Sequence, residues 1–130
     1  VKDCGLDGNV VMLYLTYPGR TWSEIKKIYN FYKKSKAKSL LCAKNATSHP
    51  YLCLQELPNN HGKQLMKHDL YRRQDYPKCF EISHFMCIFM ANELKNLNKN
   101  MYNKDTKYFS MKKDIIDVDY DIDYRQFLDK

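Results

Sequence analysis

The chain has 130 residues, 44% of them apolar or aromatic, and a formal net charge of +7. That length bounds it to one domain or part of one, with enough apolar content for a real core. No run approaches the roughly 18 apolar residues of a membrane span, so no membrane partner is expected. Val1-Lys2-Asp3-Cys4-Gly5 has no charged leader before an apolar run, so no signal peptide is expected, and the missing initiator Met reads as a piece of something longer. Cys4, Cys42, Cys53, Cys79 and Cys87 form an odd set without a C-x-x-C pair. This argues against a disulfide framework and a zinc site, and for buried or free thiols in the reducing cytoplasm. Through Lys113 there are 20 Lys and Arg against 9 Asp and Glu; from Asp114 onward there are 2 against 6. The lysines are scattered, which favours solvated faces over a nucleic-acid surface.

In chain order, Asn9 to Leu15 is a continuous apolar run that suits a strand buried on both faces of a parallel sheet. Thr16-Tyr-Pro-Gly-Arg20 breaks it with turn chemistry. Thr21-Trp-Ser-Glu24 reads as a capping box opening a helix with Ile25, Ile28, Tyr29 and Tyr32 on one face. Ser39 to Ala43 reads as a second buried strand, completing a βαβ unit with a right-handed crossover. Tyr51 to Leu57 is a short strand, and Pro58 to Gly62 a turn at a hairpin tip. Residues 64–78 are polar and basic. Cys79 to Met90 is a long apolar strand that predicts self-association at an incomplete sheet. Residues 92–105 form helical turns and loop, 107–111 a short strand, and 124–128 a closing helix. No repeat or second domain is visible.

Three constellations carry candidate chemistry. In an extended Ile115-Ile-Asp-Val-Asp-Tyr-Asp-Ile-Asp123, Asp117 and Asp119 sit side by side with Ile116 and Val118 turned inward. Paired carboxylates suit Mg²⁺, whose shell substrate phosphates would complete, or form a solvated acidic turn. In Arg72-Arg73-Gln74-Asp75-Tyr76-Pro77, two guanidiniums either grip a carboxylate or phosphate bidentately, with Gln74 on a sugar hydroxyl, or make a surface salt-bridge cluster, which composition favours. Arg20 lies just past a strand end, where open α/β sheets place ligands, and serves either a substrate or the helix start. His49, His61, His68 and His84 lack metal-ligand spacing, and with four glycines there is no phosphate-cradling loop.

Together these residues resemble the acylneuraminate cytidylyltransferase family, the CMP-sialic acid synthetases and their relatives for other nonulosonic and ulosonic acids. The family pattern L-L-Q-P-T-S-P-L-R-T meets Met12-Leu-Tyr-Leu-Thr-Tyr-Pro-Gly-Arg-Thr21, keeping Leu13, Thr16, Pro18, Arg20 and Thr21. Its R-R-Q-D-x-P is matched by Arg72 to Pro77. Its K-Y-Y-like strand and I-D-I-D-x-x-x-D are met by Lys107-Tyr-Phe109 and Ile116 to Asp123. Tyr14 stands where the family has a sugar-contacting Gln, and Ser83-His84-Phe85 where it has Asn-Gly-Ala. The family's first strand and basic CTP-gripping loop have no counterpart before Asn9.

The resemblance implies an α/β, Rossmann-like nucleotide-diphospho-sugar transferase fold. Residues 1–130 would be the C-terminal part of a single domain, a partial sheet with a dimerisation insertion. It implies transfer of CMP from CTP to a sialic-acid-like sugar acid, incomplete in this chain alone. Asp117 and Asp119 would hold Mg²⁺, Arg72 and Arg73 would be catalytic, orienting the sugar carboxylate or phosphates, and Arg20, Gln74 and Ser83 would bind substrate. The implied partners are CTP, a sugar acid, and either a second copy, through residues 70–90, or an N-terminal half. A non-catalytic assembly subunit and a small basic nucleic-acid-binding protein are the competing expectations.

Overall fold

The structure is a computed structural model describing residues 5, 7–113 and 115–129. Val1 to Cys4 of the N-terminal reading, Leu6, Asp114 and Lys130 fall outside the described residues. Among the described residues the chain order is β1 (Asn9–Met12), α1 (Trp22–Ser35), β2 (Ser39–Asn45), β3 (Leu54–Leu57), β4 (His61–Gln64), β5 (Phe80–Met90), β6 (Lys107–Ser110) and α2 (Asp121–Leu128). They divide into two compact units, Asn45–Glu81 and the remainder. The class is mixed α/β. No helix among the described residues is long and apolar enough to cross a membrane.

The larger unit is built on a mixed sheet in the order β1-β5-β2-β6. β1 pairs antiparallel with β5, from Asn9 opposite Met90 to Met12 opposite Cys87. β2 pairs parallel with β6, from Leu40 beside Lys107 to Ala43 beside Ser110. The Met90 amide donates to Lys38 O at 2.9 Å, so β5 ends where β2 begins and the two run antiparallel. β1 and β2 therefore run the same way, as the βαβ reading requires, but β5 lies between them. The long apolar run of β5 is thus a central strand, and the edges fall on the short β1 and β6. That position explains why β1 is half exposed rather than buried on both faces.

Alternation along β2 and β5 divides the core between the sheet's faces. Leu40, Cys42, Met86 and Ile88 pack with Ile28 and Tyr32 of α1, a cluster that Phe85 joins against the alternation, while Leu41, Cys87 and Phe89 pack with Leu94, Leu97 and Met101. α1 starts where its capping box predicts: Thr21 Oγ1 accepts from the Glu24 amide at 3.3 Å, and Glu24 Oε2 accepts from the Thr21 amide at 2.9 Å. It stops at Lys36, whose φ of 51° puts it in the left-handed region.

The smaller unit carries the β3–β4 hairpin, with Leu54 opposite Gln64 and Leu57 opposite His61. Pro58, Asn59 and Asn60 join the strands, the His61 amide donating to Pro58 O at 3.4 Å, and Asn59 and Asn60, at φ 60° and 58°, supply the left-handed backbone that the turn requires. Its remaining order comes from rings: His68 stacks on Tyr51 at 4.1 Å, Tyr76 meets both, and His49 meets Tyr51 and Tyr76. No described residue between 45 and 81 is fully buried.

Phe85, fully buried at the sheet centre, is expected to be the most costly residue to truncate. Phe85→Ala should lose about 3–5 kcal/mol of stability in urea unfolding. Thr21→Ala should lose only about 0.5–2 kcal/mol through the helix cap.

Candidate functional site

Where β1 ends, the chain turns through Thr16 to Arg20, and the Arg20 amide closes the turn on Tyr17 O at 3.3 Å. Pro18 sets the backbone for such a turn. Phe127 of α2 comes within contact distance of the space above Gly19. Continuing the β1–β5 register by two residues sets Tyr14 opposite Phe85. There the ladder is replaced by a side chain: Arg20 Nη2 donates to Tyr14 O at 2.7 Å and to Phe85 O at 2.5 Å. The guanidinium also lies 4.9 Å from the Phe85 ring centroid and 5.8 Å from that of Tyr17. Its Nε is buried without a hydrogen-bond partner. Desolvation lowers the Arg20 pKa, opposed by nearby Cys42, Tyr17 and Glu24.

The acidic segment joins this turn through the backbone, the Val118 amide donating to Thr16 O at 2.8 Å. Asp117 and Tyr17, the next residues on either side of that bond, meet through their side chains. Tyr17 is buried, its ring edge-on to Phe85 at 5.5 Å. Burial pushes its phenol up to about 12; the nearby Ser83 hydroxyl opposes this and the Asp117 and Asp119 carboxylates reinforce it. Asp117 Oδ1 is buried and holds no hydrogen bond. Asp119 is exposed. Asp123 is engaged elsewhere, its Oδ2 accepting from the Asp119 and Tyr120 amides at 3.2 and 3.0 Å.

The alternation expected for 115–119 is not what forms. Asp117 is itself turned in against Tyr17, because the bond between Val118 and Thr16 ties this segment to the turn. Of the expected site residues, Arg20, Ser83 and Asp117 converge on the turn after β1, with Asp119 two residues along. Arg72, Arg73 and Gln74 are exposed in the smaller unit, on a 3₁₀ turn of Arg73–Asp75. There Arg72 Nε pairs with Asp75 Oδ2 at 3.0 Å, within its own motif. A pair so exposed contributes about 0–1 kcal/mol.

Sequence reasoning missed Tyr17, although it sits inside the turn that was singled out. The available signal was a large aromatic in a segment otherwise built of turn residues. Tyr14, noted from the sequence at the position of the family's sugar-contacting Gln, meets the His84 ring edge-on at 4.9 Å.

Asp117 Oδ1 is an orphaned buried carboxylate oxygen, with the exposed Asp119 two residues along the chain; oxygen donors of this kind are the type that Mg²⁺ prefers. Among the described residues no group of three or more His, Cys, Asp or Glu could hold a metal ion. The protein share of such a shell would be the two aspartates.

Two expectations follow. Arg20→Leu should leave two carbonyls bare at the strand end and lose about 1–3 kcal/mol for each, read by urea unfolding; an unchanged midpoint would remove the bridging role. Burial raises Cys42 to about 12, Cys87 to about 11 and Tyr17 to about 12, from 9.0 for the thiols and 10.0 for the phenol. These groups favour the fold while protonated, so stability should be full below pH 9 and fall progressively toward pH 12. A Cys87→Ala variant followed by unfolding across that range should show a shallower loss. No protein-family model matches the chain, and no curated protein matches it.

Proposed function

We propose that this chain forms part of a nucleotidyltransferase that moves CMP from CTP onto a sialic-acid-like sugar acid, contributing the metal and sugar side of the site. One observation carries the reading. The segments that the family resemblance singles out, 16–20 and 117–119, are distant in sequence, yet the Val118 amide donates to Thr16 O at 2.8 Å, which brings Asp117, with its bare buried Oδ1, to the turn that holds Arg20. Folding alone does not demand a half-buried carboxylate with a bare oxygen, since that oxygen raises the cost of burial until something pairs with it.

In this reading Asp117 and Asp119 hold Mg²⁺. When bound, Mg²⁺ supplies a Lewis acid that stabilises charge developing on the phosphate. Ser83 and the turn after β1 border the space for the sugar acid. The roles of Arg72, Arg73 and Gln74 rest on their motif alone. Arg20 acts through the backbone it holds, keeping Tyr14 and Phe85 in place beside Ser83. Among the described residues β1 pairs on one side only, with Val11, Leu13 and Leu15 exposed along and beyond it. This supports association with a strand-bearing partner or a second copy at that edge.

The test is a titration of the isotope-labelled chain with a panel of nonulosonic acids and CMP, with and without Mg²⁺, followed by amide resonances. Shifts should centre on Tyr17, Ser83 and Asp117. Their Mg²⁺-dependent part should vanish in the double variant Asp117→Asn, Asp119→Asn. Shifts that avoid these residues, or that persist unchanged in the double variant, would overturn the reading.

A further inference from the structure

We infer that Cys79 is a modification site, the described thiol that exchanges with the disulfide of a small thiol, and that His49 singles it out by donating a hydrogen bond to its sulfur. The site lies in the smaller unit and owes nothing to the nucleotidyltransferase reading. Its geometry is built around one imidazole. His49 Nδ1 accepts from the Tyr51 amide at 3.1 Å, so that nitrogen carries a lone pair and no proton. His49 Nε2 lies 2.9 Å from Pro77 O, and a carbonyl oxygen only accepts, so this nitrogen carries the proton. Together the two bonds fix one neutral tautomer. An imidazolium would set a second N–H against the Tyr51 amide. Cys79 Sγ lies 3.1 Å from the same Nε2, and so shares its N–H with Pro77 O. His49 is therefore a donor to the sulfur and not a base for it. The rings of Tyr51 and Tyr76, with centroids 4.7 and 4.8 Å from that of His49, hold the imidazole in this pose.

The four described cysteines differ in what their sulfur meets. Cys42 and Cys87 are buried in the larger unit, out of reach of a dissolved disulfide. Cys53 is partly exposed, but its Sγ donates to His49 O at 3.5 Å, a bond that only the protonated thiol can make. Cys79 is also partly exposed, and its sulfur faces an N–H, a bond that strengthens as negative charge gathers there. One residue thus turns a carbonyl to the first sulfur and a donor to the second. The thiolate is the attacking form, and the gain in thiolate outweighs the smaller loss of nucleophilicity that accompanies it. In the exchange, the Cys79 thiolate attacks one sulfur of the disulfide. A new S–S bond forms and the old one breaks. The displaced half leaves as a thiolate and takes up from solvent the proton that Cys79 released. The disulfide is the only oxidant required.

The test treats the whole folded chain with oxidised glutathione at neutral pH and follows each cysteine by peptide mass spectrometry. Cys79 should be modified ahead of Cys53, with Cys42 and Cys87 untouched while the chain stays folded. His49→Asn keeps an acceptor for the Tyr51 amide but cannot reach the sulfur, and should slow Cys79 about 3–10-fold while leaving Cys53 unchanged. Cys53 reacting as fast as Cys79 in wild type, or an unchanged Cys79 rate in His49→Asn, would overturn the assignment. A further measurement needs no variant and decides the matter should His49→Asn loosen the smaller unit. The nitrogen chemical shifts of His49 should show Nε2 protonated and Nδ1 bare. The opposite tautomer would remove the donor and the proposal with it.

Discussion

From Phe85 to Phe89 the chain is shut away from water on both faces of the sheet. Each amide and carbonyl there needs a partner inside the protein, and the rest of the larger unit follows from meeting that need. β2 serves one side of β5. β1 serves the other as far as Cys87, where its pairing stops. Arg20 takes over at the next facing pair, with one nitrogen between Tyr14 O and Phe85 O. Because that guanidinium must reach back six residues, the turn through Thr16 and Tyr17 is held tight. Because the turn is tight, it presents Thr16 O to the acidic segment and buries Tyr17 beneath it.

The candidate site is in this sense a by-product of finishing a sheet. Ser83 lies just upstream on β5, Tyr17 lies in the turn, and Asp117 arrives with the segment hydrogen-bonded to Thr16. None of the three needs a dedicated scaffold. The strongest charge in the neighbourhood, Arg20, is spent on main-chain carbonyls and aromatic faces. It confers rigidity close to the carboxylates while its pKa is lowered by desolvation.

What could be read from the residues is what short-range chemistry encodes. The capping box at Thr21 and Glu24 is a local code, and α1 begins there. Pro58 to Gly62 announces a turn by composition, and the two Asn residues take the left-handed backbone such a hairpin needs. The parallel sense of β1 and β2 followed from the helix between them. The insertion of β5 between those strands did not, because pairing across more than 70 residues leaves no mark in either strand's own pattern. The task of Arg20 was hidden for a related reason: its partners are backbone oxygens, and side-chain identities say nothing of them. Asp117 was marked as a candidate, but its inward turn depends on a bond between Val118 and Thr16 that alternation alone cannot anticipate.

The smaller unit obeys a different economy. Between residues 45 and 81 no described side chain is fully buried, and order comes from a hairpin and a few stacked rings. Substitutions there leave the larger unit's buried core untouched, so this stretch is where the chain can drift most freely without unfolding. Arg72 to Pro77 lies within it. Tyr76 is tied to the unit's order by its ring contacts, whereas the exposed Arg72, Arg73 and Gln74 hold nothing of the core in place, so selection on those three acts through use rather than through stability.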